Sequence, residues 1–173
     1  MKLLLSIHKY DVFMFTWLIN AKMHHALATI GRYLSKTGDG QLYALLIIVL
    51  YLLEGIEGTF LRAILLSFLL ERPIYFVLKN GFKRNRPEQA LKNYRSVIRP
   101  SDQFSFPSGH TSAAFMMATL IGYFFPALIV PAFFWAVLIG FSRVVLGVHF
   151  PTDTLMGGIL GMSTALFSLG QVS

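Results

Sequence analysis

The sequence predicts an all-α protein, an integral membrane helical bundle of about five to six membrane helices with an amphipathic N-terminal element. Hydrophobic residues make up 55% of the 173 residues, and charged residues only 13%. The apolar residues form long runs, and within a bilayer only helices satisfy the backbone of segments of this length. No repeat or domain boundary interrupts the chain, so residues 1–173 are expected to form a single membrane-embedded domain.

The N-terminal helical element is expected over residues 1–40, and the core helices over residues 41–170. In the first part, apolar and polar side chains alternate at helical intervals, which is compatible with a tilted span or with a pair of amphipathic helices in the interface. Turn residues at 37–40 end this element. The core follows as five apolar segments, at residues 41–53, 59–79, 108–125, 127–143 and 151–170.

The charge distribution favours a lipid or membrane partner over nucleic acid. The chain carries a net charge of +7. Its basic residues concentrate at Lys79, Lys83, Arg84, Arg86, Lys92, Arg95 and Arg99. Because this stretch lies between apolar segments, a lipid phosphate or the anionic membrane surface is the expected partner, and no nucleic acid is expected. The absence of cysteine excludes disulfides and thiolate metal sites. No feature indicates the oligomeric state.

Three polar clusters fall at consecutive ends of the core helices. Alternate helix ends lie on the same side of a membrane, so these clusters are expected to converge on one face. They are Lys79-Asn-Gly-Phe-Lys-Arg-Asn-Arg86-Pro87, Pro107-Ser108-Gly109-His110 and Ser142-Arg143-Val-Val-Leu-Gly-Val-His149-Phe-Pro-Thr-Asp153.

The third cluster combines a histidine with a carboxylate. Asp153 is expected in the first turn of a helix that Pro151 can begin, where the helix dipole favours a negative charge. His149 lies just before this turn, close enough for Asp153 to accept a hydrogen bond from one ring nitrogen. Such a bond would fix the other nitrogen as a base or nucleophile. On these residues alone, a structural pair that caps the helix is an equal alternative.

The three clusters together supply what a phosphate site needs. Fixed positive charge is available from Lys79, Arg86 and Arg143. An arginine can bind phosphate oxygens through two parallel hydrogen bonds. Ser108 and Gly109 are expected at a helix N-terminus, whose free N–H groups favour an anion. His110 and His149 could then divide the roles of acid and nucleophile.

The clusters resemble the three signatures of the type 2 phosphatidic acid phosphatase family, which are Lys-x6-Arg-Pro, Pro-Ser-Gly-His and Ser-Arg-x5-His-x3-Asp. All three occur complete, in order and with the family's internal spacings within residues 79–153. The surrounding helices resemble the small bacterial members. The resemblance implies a membrane-bound lipid phosphatase that works without a metal or another cofactor.

The resemblance also implies a role for each signature residue. His149 would attack phosphorus and form a phosphohistidine, while Asp153 would orient it and support its positive charge. His110 would protonate the leaving group and then activate the water that hydrolyses the intermediate. The phosphoryl oxygens would be held by Lys79, Arg86, Ser108, Gly109 and Arg143.

The signatures recognise a phosphate and leave the rest of the substrate open. Undecaprenyl diphosphate is the first expectation, because small family members without an extra soluble domain often recycle that carrier. Phosphatidylglycerol phosphate, phosphatidic acid and the 1-phosphate of lipid A are alternatives. Two other classes also fit the residues. A metal-dependent hydrolase could use His110, His149 and Asp153 as ligands, and a non-catalytic anion or lipid-phosphate transporter could use the basic cluster.

The expected location is the inner (plasma) membrane, which the chain would cross several times. The basic loop after residue 79 points to a cytoplasmic active site if the positive-inside rule is applied to it. The family resemblance implies the opposite, an active site that faces the exterior. Several of the loop's cations are explained by phosphate chemistry, so the outward orientation is the prediction.

The remaining charged residues are expected to have structural or surface roles. Headgroup contacts and solvated loop charges are expected for Lys83, Arg84, Lys92, Arg95 and Arg99. Asp102 is expected to cap the loop, with assistance to a histidine as the alternative. Glu71 and Arg72 lie inside a predicted span, where ionisable groups usually face the bundle interior and pair. We therefore expect a structural ion pair rather than a substrate contact.

Overall fold

The computed structural model describes residues 2–172, and the side chains of residues 7–172, as α-helices and connecting segments without a strand. The helices are α1 (Lys2–Ile19), α2 (His24–Thr37), α3 (Gly40–Glu54), α4 (Thr59–Phe82), α5 (Pro87–Ala90), α6 (Gly109–Phe124), α7 (Ile129–Val145) and α8 (Pro151–Val172). A 3-10 turn, Pro126–Leu128, joins α6 to α7. The all-α prediction is confirmed.

Each of the five predicted core segments corresponds to one helix, namely α3, α4, α6, α7 or α8. Within the described part of the chain, three stretches are long and apolar enough to cross a bilayer, which are His24–Glu54, Pro126–Val145 and Pro151–Val172. Helix α4 carries charged residues inside its apolar run, and α6 has only 16 residues. The membrane character is therefore confirmed, whereas the count of five to six spans stays a prediction.

The N-terminal element consists of two helices rather than one tilted helix, since residues 20–23 separate α1 from α2. Helix α2 buries Ala28, Gly31 and Ser35, which lie on one face of the helix, and packs on α7. Helix α1 is attached by Phe15, whose fully buried ring contacts Phe150 edge to face. Both helices lie against the end of the bundle that carries the polar clusters.

Helix α6 lies at the centre of the bundle and packs closely on α8. A Cβ atom on Gly157 would lie 2.5 Å from the carbonyl oxygen of Ser108, and one on Gly161 would overlap the carbonyl oxygen of Ser112. Small residues four apart allow two membrane helices to approach this closely. The two glycines therefore hold the beginning of α6 against the beginning of α8.

Candidate active site

The three polar clusters meet at one end of the bundle, as the argument from alternate helix ends predicts. The amide of Ser108 donates a hydrogen bond to the carbonyl oxygen of Asp153 at 2.9 Å. From the first cluster, Nη1 of Arg86 donates to the carbonyl oxygen of Val148 at 2.5 Å, and Nη1 of Arg84 donates to Oδ1 of Asp153 at 2.7 Å. Backbone and side-chain bonds thus join all three clusters into one site.

A cavity of about 250 Å³ lies among these helix ends. It is lined by five of the predicted site residues, Arg86, Gly109, His110, Arg143 and His149. Of the other three, Ser108 and Asp153 are fully buried behind the cavity wall, and Lys79 is bound to Asp102. The structure therefore brings together both histidines and two of the three predicted cations around one space.

His149 lies in the short connection between α7 and α8, and its ring is buried. Its Nδ1 donates to the carbonyl oxygen of Ser105 at 2.7 Å, whereas the nearest oxygen of Asp153 is 3.9 Å away. The prediction that Asp153 accepts a hydrogen bond from this ring is therefore wrong. The carboxylate is held instead by the amide of Phe150, at 2.7 Å, and by Arg84. The ring thus bonds to a loop carbonyl group, and Asp153 bonds to Arg84 and to the backbone.

The environment of His149 keeps its imidazole neutral. Burial lowers the pKa of His149 well below its usual value, and the positive charges of Arg143, Arg86 and Lys79 lower it further. Because Nδ1 carries the proton that bonds to Ser105, Nε2 keeps its lone pair. A neutral imidazole with a fixed tautomer is suited to attack phosphorus.

Arg143 is a buried cation whose hydrogen bonds the protein completes only in part. Its side chain is buried, and Nη1 donates to Oγ of Ser35 at 2.6 Å. Within residues 7–172, no hydrogen-bond partner reaches its Nε. A buried charged group without partners is costly, so an anion that completes these bonds would be favoured here.

Asp102 connects the two cations of the first cluster. Its carboxylate accepts hydrogen bonds from Lys79 at 2.6 Å, from Tyr75 at 2.8 Å and from Arg86. Burial alone would raise the pKa of Asp102, but the hydrogen bonds and charges of these partners outweigh it and lower the pKa. The expectation that Asp102 caps the loop is wrong, because the folded loop carries the residue onto two cations that lie seven positions apart in sequence.

Arg84 is likewise not a solvated loop charge, and that expectation is wrong. Besides Asp153, it binds Oγ1 of Thr152 at 2.7 Å and, through Nη2, a carboxylate oxygen of Asp11 at 2.6 Å. Asp11 is fully buried in α1 and also accepts from the amide of Thr152 at 3.0 Å. The packing of α1 against the start of α8 brings in this second carboxylate, which lies 73 positions from Arg84 in sequence.

The second cluster begins α6, with Ser108 at the position that precedes the helix. Its hydroxyl lies 2.9 Å from Oγ1 of Thr111 and makes no capping bond to the helix backbone. A Cβ atom on Gly109 would lie 3.1 Å from the ring of Tyr75, so only glycine leaves this contact relaxed. His110 follows, and its Nε2 lies 2.9 Å from Oδ1 of Asp39.

Glu71 and Arg72 form the predicted ion pair. Glu71 is fully buried and also accepts a hydrogen bond from Oγ of Ser112 at 2.6 Å. Arg72, however, keeps 48% of its side chain exposed and lines the same cavity as His149. The pairing is confirmed, and the exposure of the guanidinium to the cavity is an addition that only the structure supplies.

Sequence reasoning missed several partners of the site, namely Asp11, Ser35, Asp39, Tyr75 and Ser105. A signal existed for the two acids, because the chain has only eight Asp and Glu residues and isolated carboxylates in membrane helices usually pair. No signal existed for Ser105, which acts through its carbonyl group.

The metal-dependent hydrolase considered above would need a group of side chains that can bind a metal ion. Within the described part of the chain, no cluster of three or more His, Cys, Asp or Glu residues is placed to hold an ion. Asp153, one of the three residues considered as metal ligands, forms an ion pair with Arg84 instead.

The sequence matches the family model described as the PAP2 superfamily over residues 59–173. It is 38% identical over 109 residues to phosphatidylglycerophosphatase B of Bacillus subtilis. That alignment covers 57% of this chain and 51% of the relative. It is 36% identical over 92 residues to decaprenylphosphoryl-5-phosphoribose phosphatase of Mycobacterium tuberculosis. That alignment covers 51% of this chain and 48% of the relative. The chain thus matches about half the length of these relatives.

Among solved structures, LpxE of Aquifex aeolicus superposes with a TM-score of 0.80 and 28% sequence identity. That superposition covers 92% of this chain and 94% of the LpxE chain. The shared fold therefore includes most of the N-terminal helices as well as the region that the family model matches.

Proposed function

Because this chain belongs to the PAP2 superfamily, we propose that it is an integral membrane phosphatase that hydrolyses a lipid phosphomonoester or diphosphate through a phosphohistidine on His149. The observation that carries the proposal is the cavity shared by the neutral His149, the second histidine His110 and the incompletely bonded Arg143. This space combines a nucleophile, an acid and an anion site. A lipid phosphate can reach it at the helix ends while its chains stay in the bilayer.

In the first step, Nε2 of His149 attacks phosphorus as the bond from phosphorus to the leaving oxygen breaks. His110 gives a proton to that oxygen, so a phosphomonoester releases a neutral alcohol and a diphosphate releases a protonated lipid monophosphate. Arg86 and Arg143, together with the amide of Gly109, hold the remaining phosphoryl oxygens. Donors placed in advance for developing charge are usually the largest catalytic contribution, and removal of one typically costs about 10²–10³ in rate.

In the second step, water attacks the phosphohistidine and the bond from phosphorus to Nε2 breaks. His110, now deprotonated, takes a proton from the water, which returns the acid to its starting state. The electron pair returns to His149, which becomes neutral again. Asp153, 3.9 Å from Nδ1, supports the positive charge that the ring carries in between.

Undecaprenyl diphosphate is the substrate that we propose first. Arg72 adds positive charge to a cavity that already contains Arg86 and Arg143, and a second phosphate would use that charge. One relative is named for a substrate that carries a polyprenyl chain, decaprenylphosphoryl-5-phosphoribose. Phosphatidylglycerol phosphate, phosphatidic acid and lipid A 1-phosphate are the alternatives.

The test is phosphate release by the purified protein in detergent from each of these four lipids, with His149→Ala as the control. Labelled substrate, quenched without acid, should leave an acid-labile, base-stable phosphoryl adduct on the wild-type protein and none on the variant. Release at the wild-type rate by His149→Ala would contradict the proposal. Retention of full activity after exhaustive chelation would exclude the metal-dependent hydrolase.

We further propose that the active-site end faces outward from the plasma membrane. The basic loop would point to the cytoplasm under the positive-inside rule. However, Lys79, Arg84 and Arg86 are each paired with a carboxylate, so their positions serve the site and do not report topology. Recycling of a carrier lipid after its sugar is delivered outside also requires an outward site.

The chain has no cysteine, which makes single-cysteine labelling direct. Ala90→Cys places a thiol at the exposed end of α5, and Gly170→Cys places one near the far end of α8, where nothing lies within 4 Å of the added Cβ. In intact cells, an impermeant maleimide should label Ala90→Cys and not Gly170→Cys. The reverse pattern, with activity retained, would assign the active site to the cytoplasm.

A further inference from the structure

We propose that Asp39 is a positioning residue for His110, so that the turn between α2 and α3 completes the catalytic site. The inference rests on the proposed phosphatase function. Nε2 of His110 lies 2.9 Å from Oδ1 of Asp39, across 71 positions of sequence. The segment that contributes Asp39 lies before residue 59, outside the range that the family model matches.

The side chain of Asp39 is available for this contact because it does not cap the N-terminus of α3. It occupies the position before α3 with an extended backbone, which is where a carboxylate would normally cap the first helical amides. Its side chain makes no such bond. The carboxylate reaches instead to the first turn of α6, where His110 lies.

The turn that carries Asp39 is anchored to α7 at several points. Nε1 of Trp135 donates to Oγ1 of Thr37 at 2.8 Å, and a Cβ atom on Gly38 would lie 3.2 Å from the side chain of Ile139. One turn earlier, Ser35 accepts the hydrogen bond from Arg143. The same segment thus contacts a proposed phosphate-binding residue and the proposed acid, which is more than a single accidental contact.

The carboxylate gives His110 a defined tautomer. A carboxylate oxygen can only accept, so Nε2 carries the proton of this bond and Nδ1 is the atom left for the substrate. When Nδ1 also holds a proton, Asp39 stabilises the resulting cation against the repulsion of Arg143. Asp102 also contributes a favourable charge, and Arg72 and Arg86 line the same cavity as His110. The acid therefore keeps one orientation while it gives up and regains its proton.

The hydrogen bond between Asp39 and His110 could also serve only to hold α3 against α6. The dependence of the rate on the leaving group distinguishes this structural role from a role in positioning the acid. The ratio kcat/KM reports the step in which the leaving group departs. Phosphatidic acid has an alkoxide leaving group that needs a proton, whereas p-nitrophenyl phosphate has a phenolate that does not. A residue that positions the acid should matter for the first ester and much less for the second.

The experiment compares Asp39→Asn with wild type on both esters. We expect kcat/KM for phosphatidic acid to fall about tenfold to 100-fold, part of the 10²–10⁴ that general acid–base catalysis supplies. The value for p-nitrophenyl phosphate should fall less than threefold, roughly, since that leaving group needs no acid. In the His110→Ala background, Asp39→Asn should cause no further loss. Glu57→Gln, at an exposed carboxylate, is the matched control and should change neither value.

Equal losses on both esters, or an undiminished loss in the His110→Ala background, would overturn the inference. If wild type releases phosphate from neither ester, the ¹⁵N NMR signals of His110 decide about Asp39 separately, and the proposed function fails only if the other three lipids also release none. We expect the Nε2–H tautomer in wild type and a mixture in Asp39→Asn; an unchanged spectrum would also overturn the inference. If Asp39→Asn does not fold, Asp39→Glu displaces the carboxylate and permits the same comparisons.

Discussion

Arg84 and Asp153 form an ion pair of 2.7 Å behind the ring of His149. The same guanidinium binds Asp11 of α1 at 2.6 Å, and both carboxylates are fully buried. One arginine thus connects the N-terminal helix to the beginning of α8. This connection makes the position of Asp153 depend on a helix that carries none of the three signatures.

We expect Arg84→Met to destabilise the fold strongly. Removal of one partner from a buried ion pair costs about 3–5 kcal/mol, because the remaining charge loses its compensation, and here two carboxylates lose it together. The thermal midpoint in detergent should fall well below that of Lys92→Met, which removes an exposed loop charge. Equal midpoints for the two variants would show that Arg84 contributes no more than a surface residue.

Acidification should destabilise the wild-type protein partly through His149. The pKa of this residue is lowered in the folded state, so below the unfolded value of about 6.5 the unfolded chain binds a proton that the folded chain does not. As the pH is lowered below this value, the free energy of unfolding should decrease by up to about 1.4 kcal/mol per pH unit, until the pH reaches the pKa of the folded state.

The measurement is the thermal midpoint of wild type and His149→Asn from pH 7.5 to 5. We expect the midpoint of the variant to fall less steeply below pH 6.5, since this contribution is gone. His25→Asn, which changes an exposed histidine, should follow the wild-type curve. If all three curves run parallel, the folded protein does not keep His149 neutral.

Arg72→Met should affect two properties that can be measured separately. The thermal midpoint should fall because Glu71, which is fully buried, keeps only the hydrogen bond from Ser112. The rate should fall more on a lipid diphosphate than on the matching monophosphate, because Arg72 lines the cavity beside Arg86 and Arg143. Arg72→Lys, which retains the charge, is the control. Destabilisation with equal rate losses on the two substrates would leave Arg72 with a structural role only.

Alanine substitution should change the stability of the protein in opposite directions at two glycines of α8, Gly161 and Gly170. In Gly161→Ala, the new Cβ would lie 2.9 Å from the amide nitrogen of Met116 and overlap the carbonyl oxygen of Ser112, which should cost about 1–3 kcal/mol. In Gly170→Ala, nothing lies within 4 Å, and alanine should stabilise the helix by about 0.5–1 kcal/mol. Thermal midpoints that shift in the same direction would contradict the close approach of α6 and α8.

Much of the fold is encoded locally and is therefore accessible from sequence. The sequence predicts the five core segments to within a few residues, because each needs a continuous apolar run long enough for a membrane and the end of each run is visible in the composition. The convergence of the clusters follows from the alternation of helix ends. Both inferences use only neighbours in sequence and the thickness of a bilayer.

Sequence patterns are enough to place the five core helices and to identify five residues of the cavity, His149 and His110 among them. How the two histidines are held depends on the packed fold: Ser105, not Asp153, bonds to the ring of His149, and Asp39 bonds to that of His110. The physical reason is that a hydrogen bond depends on distances of about 3 Å between atoms remote in sequence. For Ser105 the distance follows from the path of the loop before α6, and for Asp39 from the packing of α2 on α7. Apolar periodicity specifies neither.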